Sequence, residues 1–213
     1  RATGWYFMLV AALFVVQVLL GMVTAHYAVE GQGIYGLPFA EYFPYAVTRT
    51  WHTQLAILWI ATAWLATGLY VGPLLGGREP KFQAAGVWFL LISLVVIVAG
   101  SFIGEWSAVN RLIADATQNF WFGHQGYEFL DLGRFWQIYL FIGLLLWVVL
   151  VLRGMWPALK RPETRSLLYL VIVATVSIGL LFGAGLFYGQ NTHITIMEYW
   201  RCWVVHPWLE GVF

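Results

Sequence analysis

His206 and Glu210 stand four apart in the run Val205-His206-Pro207-Trp208-Leu209-Glu210, among apolar and aromatic neighbours. On a helix, positions i and i+4 share a face, about 5–6 Å apart at Cβ. Imidazole and carboxylate can therefore meet at one metal ion. That donor set suits iron better than copper, because carboxylate is a hard ligand. The plainer reading is a His–Glu hydrogen bond that packs helices. Burying two polar groups in apolar surroundings is costly without a function, so both readings stay open. His52, in Arg49-Thr50-Trp51-His52-Thr53-Gln54, poses a similar choice. A neutral imidazole there could be an axial haem ligand. Small and aromatic residues follow it (Trp59, Ala61, Ala63, Ala66, Gly68), leaving room for a flat macrocycle. The alternative is a histidine bonded to a neighbouring helix. His124 and Glu128 repeat the four-residue spacing, with Asp131 and Arg134 close behind. This cluster could bind a cation, hold haem propionates or hydrogen-bond a quinol headgroup; taken alone, a solvated polar loop is the better reading. His26 and His193 read as interfacial, hydrogen-bonded structural residues, and Cys202 as a lone thiol without a redox role. The chain carries no Walker loop, dinucleotide glycine motif, GxSxG elbow or HExxH motif.

The elements that must position these residues are membrane helices. Hydrophobic residues make up 61% of the 213 positions and charged residues 10%, against about 25% charged in soluble domains. Thirteen Trp, 11 Tyr and 15 Phe suit aromatic belts at two membrane interfaces. A net charge of +1 gives no footprint for nucleic acid. One cysteine excludes an internal disulfide framework. About 20 apolar residues cross a bilayer as a helix. Six stretches qualify or nearly do, at about 5–25, 45–73, 84–104, 135–156, 167–188 and 194–213. The expected fold is all-α, a polytopic transmembrane helix bundle with an outer interfacial segment over 105–133. The chain starts at Arg1 and ends at Phe213 inside an apolar run, and reads as an excerpt of a longer protein.

Basic residues set the expected orientation. Arg1, Arg78, Lys81, Arg153, Lys160, Arg161 and Arg165 fall at alternate ends, against Arg49, Arg111, Arg134 and Arg201 at the others. The excess puts residue 1 on the cytoplasmic side, with 26–44, 105–133 and 189–199 facing outward.

Several segments then resemble one family. They are Thr24-Ala25-His26-Tyr27-Ala28-Val29-Glu30-Gly31 and Pro44-Tyr45-Ala46-Val47-Thr48-Arg49-Thr50-Trp51-His52-Thr53-Gln54. Phe120-Trp121-Phe122-Gly123-His124-Gln125-Gly126-Tyr127-Glu128 and Asp131-Leu132-Gly133-Arg134-Phe135-Trp136-Gln137 belong with them, as do Glu198-Tyr199-Trp200-Arg201 and Val204-Val205-His206 with Glu210-Gly211. Together they look like the quinol-dependent nitric oxide reductases of the haem–copper oxidase superfamily. The resemblance implies reduction of two NO to N₂O and water, with electrons from quinol. It implies a low-spin haem b, a high-spin haem b3, a non-haem iron and a calcium ion. His52 would be an axial ligand of the low-spin haem, and His206 and Glu210 would be two ligands of the iron. Glu128, with Asp131, would lie near the calcium; His124, with Glu128 as a competing assignment, would lie near the quinol headgroup. The remaining ligands would come from the rest of the same chain beyond Phe213. A bacterial or archaeal cytoplasmic membrane and a homodimer are further expectations.

Pro207 stands where the family usually has Leu. A proline inside a helix removes one backbone donor and tends to kink it, so a kink is expected beside His206. The competing readings are an oxygen-reducing haem–copper oxidase, a cytochrome c-dependent nitric oxide reductase and a proton-coupled transporter. Glu210 argues against the first, which often has Tyr four residues after its metal-binding His. The segment 124–128 argues against the second, and the missing inverted repeat against the third.

Overall fold

In a computed structural model, residues 2–33, 36–126, 131–163 and 165–211 are described, with the backbone alone at Leu209. They are helical nearly throughout: α1 (Ala2–Glu30), α2 (Phe39–Tyr42), α3 (Tyr45–Gly76), α4 (Gln83–Val109), α5 (Ala116–Phe122), α6 (Arg134–Met155), α7 (Arg165–Leu181) and α8 (Ile194–Trp203). Short 3-10 segments extend α6 over Trp156–Lys160 and α7 over Phe182–Leu186. Five of these helices are long and apolar enough to cross a membrane. The sixth predicted run differs: ten-residue α8 continues into a π-helical segment, Val204–Glu210.

The helix ends follow local chemistry. Pro44 precedes α3, where its missing N–H costs nothing, and its carbonyl accepts from Val47 and Thr48. Asp115 caps α5 by accepting from the Gln118 N–H at 2.7 Å. His193 caps α8, its Nδ1 accepting from the Thr195 N–H at 3.2 Å; this agrees with the structural role read for it. Helix α4 runs five residues past the expected boundary, to Val109, so Glu105 lies on a helix. Its carboxyl has a side-chain donor on α3, a helix-held polar group that an apolar-run reading treats as a span end.

The chain divides into two compact units, one of residues 1–7, 63–96 and 137–213, the other of 8–62 and 97–136. In the first, α3 offers Gly68, Gly72 and Gly76 to α6. A Cβ on Gly68 would sit 2.9 Å from the Trp147 ring, and one on Gly76 would collide with the Gly154 carbonyl. Small residues of this kind let membrane helices touch backbone to backbone. The buried Trp147 indole donates to Leu65 O at 3.1 Å, and Gln83 to Leu150 O at 3.1 Å. These bonds satisfy polar groups that would be costly in an apolar interior.

In the second unit, Leu13, Leu55 and Leu58 form a core with Leu9, Leu20, Trp59, Val98 and Phe102. Helices α1, α3 and α4 therefore meet around the turns that carry His52. Away from this core the same unit exposes Phe14, Val15, Leu19 and Ile103, as spans facing lipid do.

Candidate functional site

His52 sits on α3, half-buried, where a single neighbouring helix fixes its imidazole. Its Nδ1 lies 2.8 Å from the Gln17 backbone carbonyl and 3.3 Å from the Gln17 side-chain amide nitrogen. A carbonyl only accepts, so Nδ1 carries the proton and Nε2 keeps the lone pair. Nε2 makes no hydrogen bond among the described residues. Metal-bound histidines characteristically donate their other N–H to a carbonyl in this way. Gly21, one turn beyond Gln17, clears the space: a Cβ there would come within 2.7 Å of the imidazole Cε1. The donor chemistry fits an axial haem ligand. Neither Gln17 nor Gly21 was singled out from sequence, although a lone amide in Val16-Gln17-Val18 is the kind of intramembrane polar residue that signals a site.

His206 and Glu210 are brought together. Nδ1 and Oε2 lie 2.8 Å apart, and both side chains are more than half exposed. The expected burial is not observed for either. The segment that carries them is π-helical, closed by a bond from the Gly211 N–H to His206 O at 2.9 Å. Pro207 explains the change from the expected kink. It has no N–H to give to the carbonyl four residues back, and its ring crowds that carbonyl. The ladder widens locally to i+5 instead, a form that recurs at functional sites. Trp208 anchors the segment, buried, with its indole donating to Ile178 O at 2.7 Å and its ring 5.1 Å from that of Phe182. Among the described residues no three His, Cys, Asp or Glu side chains gather as a metal-binding group. The pair supplies an imidazole and a hard carboxylate, which suits iron, and offers two ligands only.

His124 is buried, at 2% exposure; the solvated loop read for it is a packed turn. A bridge pairs His124 with Leu132, and the Gln125 N–H donates to Asp131 O at 3.1 Å. Arg134 also holds the turn, donating to Gln125 Oε1 at 3.1 Å, with its guanidinium 5.5 Å from the Phe120 ring centre. His124 Nδ1 accepts from the Gly126 N–H at 3.2 Å, which puts the proton of the neutral ring on Nε2. Burial pushes its pKa below the usual imidazole value, opposed by the Gly126 contact and the charge of Asp131. Glu128 lies outside the described residues.

His26 lies one turn before the end of α1, with Nδ1 3.1 Å from Glu30 Oε2 and Nε2 2.8 Å from Gly33 O. It has the hydrogen-bonded, interfacial setting read from sequence. Cys202 is an exposed free thiol.

The family described as Cytochrome C and Quinol oxidase polypeptide I matches residues 1–213. The chain belongs to that family. The family lies in the haem–copper oxidase superfamily of multi-pass membrane proteins, and the all-helical fold with its five long apolar helices agrees with it. Among relatives of this oxidase family, a nitric oxide reductase subunit from Stutzerimonas stutzeri is 26% identical over 211 residues. The match covers 98% of this chain and 41% of that protein, so the chain spans about two fifths of the relative's length.

Proposed function

We propose that the chain is part of a quinol-dependent nitric oxide reductase, which couples two NO into N₂O and water at a haem b3 and non-haem iron centre. The observation that carries this reading is the His206–Glu210 pair, an imidazole and a carboxylate at 2.8 Å. A carboxylate there selects a harder metal than copper. The relative whose name is that of a nitric oxide reductase supports the same choice. In this reading His206 and Glu210 hold the iron, with other ligands supplied elsewhere in the protein. His52 holds the low-spin haem, with Gln17 fixing its tautomer and Gly21 its ring. Paired metals, when bound, hold two NO molecules together and stabilise the charge that develops on them. Glu128 and Asp131 are proposed near calcium. The membrane is proposed to be a prokaryotic cytoplasmic membrane, with residue 1 inside and a homodimer as the assembled form.

The electron donor site has two readings. His124 is the residue the sequence favours, with Glu128. A second reading rests on exposure: His124 is 2% exposed, whereas the His26–Glu30 pair lies at an end of α1 with Glu30 well exposed. Oxidation of a quinol releases protons, and a base within reach of the headgroup must take them. A His–Glu pair at a helix end is reachable by a lipid-borne headgroup without rearrangement.

The test is anaerobic NO consumption by the detergent-solubilised full-length protein, with reduced quinol or reduced cytochrome c as donor. Turnover with quinol alone, yielding N₂O, supports the proposal. Turnover with cytochrome c alone points to the cytochrome-dependent class. Oxygen reduction without NO turnover points to the oxygen reductases of the same superfamily. His26→Ala and His124→Ala separate the donor sites, since the true one raises the KM for quinol.

A further inference from the structure

Glu105 is 1% exposed on α4. Gln54 on α3 donates to its Oε1 at 2.6 Å, while Oε2 has no hydrogen-bond partner among the described residues. The same stretch of α3 carries two more buried polar atoms without a partner, Thr50 Oγ1 and Trp51 Nε1. Thr50 and Trp51 precede Gln54 by four and three residues, so all three share a helix face. Trp51 neighbours the Glu105 carboxyl, and its ring stacks on Phe102, one turn earlier on α4, at 4.9 Å and 11°.

These atoms form an unbalanced set. An ionised carboxylate buried in an apolar span needs a cation or several donors. Gln54 supplies one donor, and the Trp51 indole, within reach of the carboxyl but without hydrogen-bond geometry, is the other candidate. Asp131, the charged group acting on Glu105, has the same sign. A neutral acid suits this setting better: Oε1 is its carbonyl and accepts from Gln54, and Oε2 is its hydroxyl and must donate. The hydroxyl of Thr50 and the indole N–H of Trp51 also need partners. Water bonded to two to four such polar groups is how buried sites of this kind are satisfied.

We propose that Glu105 is a proton-carrying carboxylic acid that exchanges its proton with buried water beside Thr50 and Trp51. In the exchange the Oε2–H bond breaks and H⁺ passes to a water molecule. The electron pair stays on the carboxylate, which is then held by the Gln54 N–H and by Trp51 turning its N–H toward it. Reprotonation reverses the step, and no oxidant or reductant takes part. A use in turnover rests on the nitric oxide reductase reading, whose chemistry consumes protons within the membrane; the protonation and the exchange do not depend on it.

Infrared spectroscopy of the full-length protein tests this at neutral pH. Wild type should show a carboxylic-acid C=O band that is missing in Glu105→Gln and that shifts in D₂O. Gln54→Leu should move the band to higher frequency, because the C=O loses its donor; this variant keeps the test open if Glu105→Gln does not fold. A spectrum that neither variant changes overturns the protonated acid, and a band that does not shift in D₂O overturns the exchange. If wild type turns over NO, Glu105→Gln should lower turnover about tenfold or more with the low-spin haem spectrum intact, and Glu105→Asp should retain most of it. Unchanged turnover in Glu105→Gln overturns the role in turnover. A wild type that fails to reduce NO yet shows the band would remove the nitric oxide reductase reading and leave the acid in place.

Discussion

The Gln17 carbonyl on α1 accepts the proton of His52 Nδ1 at 2.8 Å, so one helix decides which nitrogen of another is available to a metal. The backbone makes this bond, and substitution of the Gln17 side chain alone leaves it in place. Its geometry depends on how closely α1 approaches α3, and Gly21 sets that distance.

Gly21→Ala should therefore disturb the low-spin haem. The new Cβ would stand 2.7 Å from the imidazole, and overpacking of this kind costs about 1–3 kcal/mol. Gly4→Ala, on the same helix, meets nothing within 4 Å and serves as the control. Reduced-minus-oxidised absorption of the full-length protein should change in the first variant and not in the second. His52→Ala should remove the low-spin signal altogether. Equal spectra in all three variants would place the haem ligand elsewhere.

Glu210→Ala should lower non-haem iron content by about tenfold or more, abolish NO turnover and spare the low-spin haem. Metal analysis and the haem spectrum, made on the same sample, check both halves. Normal iron content in this variant would show that the 2.8 Å contact with His206 is a plain helix-packing hydrogen bond.

Pro207→Ala gives residue 207 an N–H, and the carbonyl of Trp203 is its natural acceptor in an α-helix. The π-helical turn should narrow. Hydrogen exchange should then show new protection at residue 207 and an altered rate at Gly211, whose N–H now bonds His206 O. Unaltered exchange over residues 204–211 would mean that something other than the proline sets the wide turn.

His124 makes the outer turn sensitive to acid. Burial lowers its pKa in the folded protein, whereas the unfolded chain has an ordinary imidazole near about 6.5. Above that value both states are neutral and nothing is lost. As the pH falls below it, the unfolded state gains a proton that the folded state resists, and stability drops until the lowered folded value is passed. The melting temperature of wild type should fall more than that of His124→Gln between pH 7.5 and 5.5. Parallel curves would contradict the buried neutral ring.

The spans were legible because the bilayer demands a long apolar run, and α1, α3, α4, α6 and α7 each contain one. Boundaries were less so. Glu105 reads as the end of a span, since its partner Gln54 is 51 positions away and nothing local marks the bond. The four-residue spacing of His206 and Glu210 correctly implied contact, because both α and π turns keep such residues adjacent. Their exposure was not legible, since apolar neighbours in sequence do not say which helix will cover a face. Pro207 announced a departure from the α-helix but not its form: the choice between a kink and a widened turn depends on whether the next amides find carbonyls one residue further back. The setting of His124 depends on Arg134 and Gln125, which read singly as loop polar residues.

The crossing of α3 and α6 has a bearing on how this protein can vary. Every amino acid other than glycine brings a Cβ, and at Gly76 any Cβ meets the Gly154 carbonyl. The position thus has no conservative replacement, and each missense change at its codon is a steric change. In a saturation library, Gly76 should behave as an all-or-nothing column, while the exposed Leu74 two residues away tolerates most apolar side chains. The genetic code reads the first site as one residue among twenty; the helix crossing reads it as a space that must stay empty.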